Sequence, residues 1–426
     1  MELCSFVKFL FDCVVYSLSE KKTYLFSFLA IIVIYLMVGS TTLASSIMWI
    51  NIPNIDYKYY LIWAILGVLI IINFPKNLKI DIITLLLILR SVLLCSMTVV
   101  NVDKYPDSWK INLIAHIFLP FVYYIAKHAV MTYEEVKSFL LKVSCLFTFI
   151  LSVQIILLFI QSVLIKQLGW NYVKSTIEVP LGRSNYLAAF LIIFLIYIDN
   201  IMPSSLKKYF IISMGVVGIF CSMSDGAYIV MGAYFLPSFF MKIKKSVFIG
   251  KINYRAFVAL ALVTIVIGYI FMRYWSVVSE AFQHFLRDTF YVDDMRGFLN
   301  GRDSVYTNSV NIIKNNWLFG IGLGTLIGHT TRSHNLILQL LVSGGIVNLI
   351  IFMYIYIKTF VLNFMERKES EFARAVMLVM LFSFINSMFE PTYQSIMYDL
   401  IMFTFMGFSL NYNIKRVGGS KCLRAV

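Results

Sequence analysis

The chain has 426 residues, of which 60% are hydrophobic and only 14% are charged, with a formal net charge of +14 and a mean hydropathy of +0.82. A soluble domain carries about 25% charged residues, so the composition excludes a soluble globular fold. The basic residues do not gather in one tract with interleaved aromatics, which argues against nucleic acid as a partner. The six cysteines include no CxxC pair, so we expect neither a disulfide nor a metal site.

Apolar segments long enough to cross a bilayer recur from one end of the chain to the other. A spanning helix needs roughly 20 mostly apolar residues, so the sequence predicts an all-α polytopic transmembrane helix bundle with about 12 spans. Residues 1–20 are weakly amphipathic and are expected to lie at the membrane surface. The predicted spans are 24–42, 58–73, 80–98, 111–126, 138–165, 185–202, 209–222, 226–241, 256–273, 334–357, 374–389 and 395–411.

Lysine and arginine are concentrated in alternate connections between the predicted spans. The segment 242–255 belongs to the basic set, whereas the connections 99–110 and 390–394 contain fewer basic residues and also acidic ones. Short cytoplasmic loops carry the excess of basic residues. We therefore predict a multi-pass protein of the cytoplasmic (inner) membrane with both termini in the cytoplasm.

One connection is long enough to expect a function of its own. Residues 274–333 form a large extracytoplasmic loop in this topology. The loop divides the chain into predicted transmembrane helices 1–9 over residues 1–273, the loop itself, and transmembrane helices 10–12 with a cytoplasmic tail over residues 334–426.

The large loop contains a helical pattern near its end. Tyr306, Val310, Ile313 and Trp317 recur at the spacing of one helical face. We expect an amphipathic helix from about 301 to 316 that lies against the membrane domain.

Polar residues that suit an anionic substrate collect on the predicted outer side. Arg183, Arg302 and Arg332 carry guanidinium groups, which bind diphosphate in a bidentate manner and stay charged. His334 opens the predicted tenth span and is followed by Asn335. Histidine changes charge near neutral pH, which makes His334 the best general base in this group. For each residue taken alone, an interfacial arginine that reaches the headgroups or a structural histidine is the simpler interpretation.

Arg90 interrupts the third predicted span. A charge at the centre of a spanning helix costs roughly 2.5 to 3.5 kcal/mol on insertion scales, so Arg90 should face a partner or a polar cavity. A contact with substrate and a structural ion pair are both consistent with the sequence.

The run from Gly320 to Gly324 contains three glycines at alternate positions. It lacks the Lys-Ser/Thr pair of a phosphate-binding loop and any preceding strand, which argues against a nucleotide site. We interpret the run as a tight turn that lets two backbones approach closely, in preference to a direct ligand contact.

Residues 181–350 resemble the O-antigen polymerase and ligase superfamily, meaning Wzy-type polysaccharide polymerases and WaaL-type O-antigen ligases. The N-terminal 180 residues match that superfamily only in hydropathy. The stretches that carry the resemblance are Gly182-Arg183-Ser184-Asn185-Tyr186-Leu187-Ala188, Gly301-Arg302, Trp317-Leu318-Phe319-Gly320-Ile321-Gly322-Leu323-Gly324, Ser333-His334-Asn335 and Gly344-Gly345.

The resemblance implies a glycosyltransferase that uses an undecaprenyl diphosphate-linked glycan as donor and needs neither a metal nor another cofactor. It implies catalytic roles for His334 and Arg302. It also implies diphosphate binding by Arg183 and Arg302. From the residues themselves we add Arg332, Asn335 and Arg90 as candidate substrate ligands. The expected partners are the lipid-linked donor and acceptor, the bilayer, and a chain-length regulator and flippase of the same pathway.

Three functions remain open at this point. The first is a polymerase of O-antigen or capsule that extends lipid-linked repeat units, and the second is a ligase that transfers the glycan to lipid A core. Ligases usually carry an arginine in a short motif before the eighth helix, where this chain has Ser224-Asp225-Gly226. That departure favours the polymerase. The third function, a transporter of lipid-linked oligosaccharide, is disfavoured because the charged candidates lie outside the membrane interior, with the exception of Arg90.

Overall fold

The computed structural model describes residues 80–101, 109–129, 132–165, 170–179, 182–249, 303–323, 333–390, 392–393 and 396–420. This part of the chain is helical apart from one short antiparallel ladder. Its elements are α1 Ile82–Val100, α2 Trp109–His128, α3 Tyr133–Ile160 with a π-helical turn Gln161–Ile165, α4 Trp170–Thr176, β1 Glu178–Val179, β2 Gly182–Arg183, α5 Ser184–Ile201, α6 Leu206–Ser222, α7 Asp225–Ile249, α8 Asp303–Asn315, α9 Leu336–Glu366, α10 Glu371–Phe389 and α11 Ile396–Ser420.

The all-helical prediction is confirmed for the part of the chain that the structure describes. Each predicted span in this part falls on a helix. Five of these helices, α1, α3, α5, α9 and α10, are long and apolar enough to cross a membrane. The predicted spans 24–42, 58–73 and 256–273 lie outside the described residues, so the total of about 12 and the three-part division of the chain stay predictions.

Helix α5 lies at the centre of the bundle. Every residue from Leu187 to Ile198 is buried, and a helix that is apolar on all sides is stable only when other elements surround it. The helices α3, α6, α7 and α10 pack around it. The N-terminal end of α5, at Ser184 and Asn185, is therefore held in place by the packing of the whole bundle.

Ion pairs join the connections at one end of the bundle. Lys127 Nζ lies 2.9 Å from the carboxylate of Asp81, and Lys137 Nζ lies 3.1 Å from that of Glu371. Burial acts to raise the pKa of Asp81, but hydrogen bonds from Lys127 and Thr84 outweigh it and hold this pKa below its ordinary value. A carboxyl group with a lowered pKa stabilises the fold at neutral pH, and that contribution is lost as the pH falls through the lowered pKa.

Helix α9 is interrupted in its interior at two glycines. Gly344 and Gly345 have non-helical backbone angles, and Gly345 has φ +62°. A Cβ atom on Gly345 would lie 2.2 Å from Leu318 O, and one on Gly320 would lie 2.5 Å from Gly344 N. The two backbones approach so closely that only glycine fits at these positions. The interpretation of the Gly320 run as a site of close backbone approach is confirmed.

Residues 317–323, called the docked segment below, lie against this interruption. The helix break leaves backbone groups of α9 without helical partners, and the docked segment supplies partners for them. The hydrogen bonds run from Ile321 N to Val342 O at 2.9 Å, from Gly322 N to Ser343 O at 2.8 Å, from Ile346 N to Trp317 O at 2.8 Å and from Val347 N to Leu318 O at 3.4 Å.

The predicted helix in the large loop is present as α8, and it packs on α9. The predicted apolar face is only partly buried. Tyr306 and Ile313 are half-buried, whereas Val310 is 40% exposed and Trp317, which lies beyond the end of α8, is 60% exposed. Ser309 is the buried residue of this helix, so the periodicity located the helix but only part of the face that contacts the bundle.

Candidate functional site

Three helix ends meet at the side chain of Glu390. Glu390 is the C-cap of α10, Asn185 lies in the first turn of α5, and His334 directly precedes the N-cap of α9. Glu390 Oε2 lies 3.0 Å from His334 Nδ1 and accepts a hydrogen bond from Asn185 Nδ2 at 3.1 Å. These three residues, called the histidine cluster below, join parts of the chain that are far apart in sequence.

The carboxylate of Glu390 orients the imidazole ring of His334. An ionised carboxylate only accepts hydrogen bonds, so the neutral ring carries its proton on Nδ1 and leaves Nε2 as an acceptor. The side chain of His334 is 22% exposed and that of Glu390 is 12% exposed. The arrangement can hold a proton acceptor in a fixed orientation while the ring stays accessible to a substrate.

The backbone of His334 adopts the left-handed conformation, with φ +48°. Residues other than glycine are uncommon in this region, although histidine, asparagine and aspartate enter it more often than most. Such conformations cost of order 1 to 3 kcal/mol and persist where the surroundings enforce them. His334 is therefore held in position through its backbone as well as through its side chain.

The residues on either side of His334 supply that constraint. Ser333 donates from its backbone N and its Oγ to Gln339 Oε1, at 3.3 and 3.0 Å. Asn335 Oδ1 accepts from Ile337 N at 3.0 Å and from Leu338 N at 3.2 Å, which caps α9. The residues directly before and after His334 are thus both hydrogen-bonded to the start of α9.

The side chain of Asn335 also ties α9 to α10. Its Nδ2 donates to the backbone oxygen of Met388 at 3.4 Å, while its Oδ1 caps the helix. Both polar atoms of Asn335 thus have structural partners. A contact between Asn335 and the substrate stays a prediction.

Arg183 lies at the same end of α5 as the histidine cluster. It is the N-cap residue of α5, two residues before Asn185. Its side chain is 77% exposed, and its Nε lies 3.5 Å from Glu178 Oε1 across the small ladder. An exposed ion pair of this kind is weak, so the guanidinium of Arg183 can exchange Glu178 for an anionic ligand.

Arg90 is not brought to the histidine cluster. It is buried in α1, with Nε donating to Asn348 Oδ1 of α9 at 2.8 Å and its guanidinium lying over the ring of Phe352. Asn348 in turn donates from Nδ2 to Leu340 O at 2.9 Å, and none of the contacts described for Arg90 includes a member of the histidine cluster. The predicted contact between Arg90 and substrate stays untested, and the structure gives Arg90 protein partners instead.

Two of the predicted arginines, Arg302 and Arg332, lie outside the described residues. In sequence, Arg302 directly precedes α8 and Arg332 directly precedes Ser333. Their predicted roles therefore depend on chain position alone.

A carboxylate stands where the ligase motif would have an arginine. Asp225 begins α7, and its carboxylate lies 3.8 Å from Lys174 Nζ of α4. Both side chains are at least one-third exposed.

Among the described residues, no group of three histidine, cysteine, aspartate or glutamate side chains is placed to hold a metal ion.

Two members of the histidine cluster were not among the predicted site residues. In the sequence, Glu390 is one acidic residue of the connection 390–394, and Asn185 belongs to a stretch that carries the resemblance. The sequence contained a partial signal for Asn185, since it follows Arg183 at a helix start, but none that joined it to Glu390.

Comparison with known proteins identifies one domain. Residues 209–353, about a third of the chain, match the family model of the O-antigen ligase domain, Wzy_C. The match confirms the resemblance to the O-antigen polymerase and ligase superfamily, whose members are glycosyltransferase-like enzymes. His334 and the docked segment lie within the matched residues, whereas Arg183, Asn185 and Glu390 lie outside them. No curated protein matches the chain.

Proposed function

We propose that this chain, a membrane protein with an O-antigen ligase domain over residues 209–353, is a polysaccharide polymerase. It transfers a glycan from a lipid diphosphate carrier, undecaprenyl diphosphate, onto another lipid-linked repeat unit at the outer face of the cytoplasmic membrane. The observation that carries the proposal is the histidine cluster, in which Glu390 orients the ring of His334 and Asn185 joins it to the end of α5 where the exposed Arg183 lies.

In the proposed reaction, a hydroxyl oxygen of the acceptor sugar attacks the anomeric carbon of the donor glycan. His334 Nε2 takes the hydroxyl proton, while Glu390 on the opposite nitrogen stabilises the imidazolium that forms. The bond from the anomeric carbon to the diphosphate oxygen breaks, and the diphosphate leaves with the electron pair. Base catalysis and stabilisation of the leaving group by arginine supply the chemistry, so the proposal requires no metal.

The departing diphosphate is assigned to the arginines on the outer side. Arg183 has an exposed guanidinium two residues from Asn185. Arg302 directly precedes α8, where the backbone N–H groups of a helix start favour an anion. We assign the same role to Arg332, which is the neighbour of Ser333 in the chain, and we keep Asn335 as a contact for the sugar.

Arg302→Lys should lose much of the transfer activity although the charge is retained, because lysine cannot copy the planar fork that binds diphosphate. Arg302→Ala should lose more. Polymer length and protein abundance measured together in cells without the native copy would test this expectation. Normal polymer from a well-expressed Arg302→Ala protein would remove Arg302 from the site.

The alternative of an O-antigen ligase uses the same chemistry with lipid A core as the acceptor. Asp225 and its contact with Lys174 put a carboxylate at the position of the ligase arginine, and a carboxylate repels phosphate. That observation favours the polymerase. A purified protein that transfers glycan to lipid A core in preference to a lipid-linked repeat would reverse the assignment.

The alternative of a lipid-linked oligosaccharide transporter is separated from the polymerase by reconstitution. The protein would be placed in liposomes with lipid-linked repeat units, and both the glycan length and the side of the bilayer would be followed. A polymerase lengthens the glycan, whereas a transporter moves repeats of unchanged length across the bilayer. Movement without lengthening would contradict the proposed function.

The proposed site requires the histidine cluster to face the outside of the cytoplasmic membrane, with both termini in the cytoplasm. The basic residues Lys127 and Lys137 belong to the predicted cytoplasmic set. Lys137 pairs with Glu371 at the start of α10, whereas Glu390 of the histidine cluster lies at the other end of that helix, which supports this orientation.

A fusion of alkaline phosphatase, which is active only outside the cytoplasm, at residue 250 should be inactive. An active enzyme at that position would invert the topology. In this orientation the protein would act beside a flippase and a chain-length regulator of its pathway.

A further inference from the structure

Helix α9 consists of two parts that meet at Gly344 and Gly345. The first part, residues 336–343, begins directly after His334 and Asn335. It is about two helical turns long, at 3.6 residues per turn. A segment this short has little helical stability of its own, so its position depends on what holds its two ends.

The end of the first part next to the break is held by the docked segment. Ile321 and Gly322 donate to the carbonyl oxygens of Val342 and Ser343, as described above. The docked segment is in turn fixed to α1, because Leu323 N donates to Thr98 Oγ1 at 2.7 Å.

Asn348 holds the same end of the first part from the other side of the break. Its Nδ2 donates to Leu340 O at 2.9 Å and to Ser343 Oγ at 3.2 Å. These bonds cross from the second part of α9 to the first, and Asn348 is fully buried. The position of the first part thus depends on the orientation of one amide group.

Arg90 fixes the orientation of that amide. Its Nε donates to Asn348 Oδ1, which leaves Nδ2 directed at Leu340 and Ser343. Arg90 is 1% exposed, and its Nη2 makes no hydrogen bond within the described part of the chain. The hydrogen-bonded link from Arg90 to α9 therefore runs through Nε alone.

We infer that Arg90 and Asn348 are positioning residues for the half-helix that carries His334, and that they act through these hydrogen bonds without contacting the substrate. Arg90 sets the amide of Asn348, the amide and the docked segment hold residues 336–343, and these residues place His334 against Glu390 and Asn185. The expected effect on catalysis rests on the proposed function, whereas the hydrogen-bonded link from Arg90 through Asn348 to residues 336–343 does not.

The experiment compares Arg90→Met and Asn348→Asp with the unchanged protein. Arg90→Met removes the group that orients the amide. Asn348→Asp keeps an acceptor for Arg90 but removes the donors to Leu340 and Ser343. Arg374→Met, at an exposed position of α10, is the matched control. Each protein is purified, checked for a single species by gel filtration, and studied by amide hydrogen exchange without substrate and by steady-state kinetics in liposomes with lipid-linked repeats.

Compared with the unchanged protein, we expect faster amide hydrogen exchange in residues 336–343 and 317–323 of both variants. The exchange in α10 should be the same in all proteins. A misplacement on the order of 1 Å can cost about 100-fold in rate, so kcat should fall by up to that factor while KM for the donor changes little. Asn348→Asp keeps the test valid if Arg90→Met does not fold.

Two results would overturn the inference. Unchanged exchange in residues 336–343 of Asn348→Asp would show that the amide does not hold the half-helix. A raised KM in Arg90→Met with unchanged exchange would make Arg90 a substrate ligand. If the unchanged protein transfers no glycan, the proposed function fails, but the exchange results still decide whether Arg90 and Asn348 hold the half-helix.

Discussion

Replacing His334 with asparagine should lower the rate of glycan transfer by on the order of 100-fold or more, the usual contribution of a positioned base, with no change in protein abundance. Asparagine tolerates the left-handed backbone that His334 adopts at φ +48°. The substitution therefore removes the proton acceptor with little added backbone strain. The measurement is the initial rate of polymer formation per mole of protein in liposomes.

Two further substitutions separate chemistry from structure at this position. His334→Ala removes the base and also the preference for the left-handed backbone, so it should lose stability as well as activity. His128→Gln, at the C-terminal end of α2, controls for the loss of a histidine elsewhere. Long polymer from His334→Asn at normal abundance would show that His334 is not the base, and catalysis would then depend on substrate positioning by the arginines.

The sequence was sufficient for the helices because their signals are local. Apolar runs identify spanning helices, and the run that forms α5 is apolar on all sides, as its burial from Leu187 to Ile198 requires. The helix expected at about 301 to 316 corresponds to α8, Asp303–Asn315. The close backbone approach at Gly320 was also predictable, since glycine lets two backbones approach and the run lacks the features of a phosphate-binding loop.

The partners that hold these elements together could not be predicted from local patterns. The predicted span 334–357 runs through the break at Gly344 and Gly345, because the docked segment that stabilises the break lies elsewhere in the chain. His334 and Glu390 are separated by 56 residues, and Asn185 and Glu390 by 205. A single glutamate in a short connection resembles any solvated acidic residue until the fold places it against a histidine.

Replacing Glu390 with glutamine should reduce glycan transfer by on the order of 100-fold or more, close to the loss expected for the base itself, because a ring in the wrong tautomer cannot accept the proton. The amide keeps the size of the side chain but carries no charge to stabilise the imidazolium. It can also donate to His334 Nδ1, which would place the ring proton on Nε2 and block that nitrogen as an acceptor. The loss should appear in kcat more than in KM, because Glu390 acts through the histidine rather than on the substrate.

Glu371→Gln is the matched control, since Glu371 begins the same helix that Glu390 caps and also contacts a basic side chain, Lys137 at 3.1 Å. That contact is at the opposite end of α10, so Glu371→Gln should transfer glycan at nearly the unchanged rate. The double variant His334→Asn with Glu390→Gln should be scarcely slower than His334→Asn alone, because the two residues act as one unit. If the rate of the double variant were lowered by the product of the two single-variant factors, Glu390 would contribute independently of His334. The pairing of the two side chains would then have no part in catalysis.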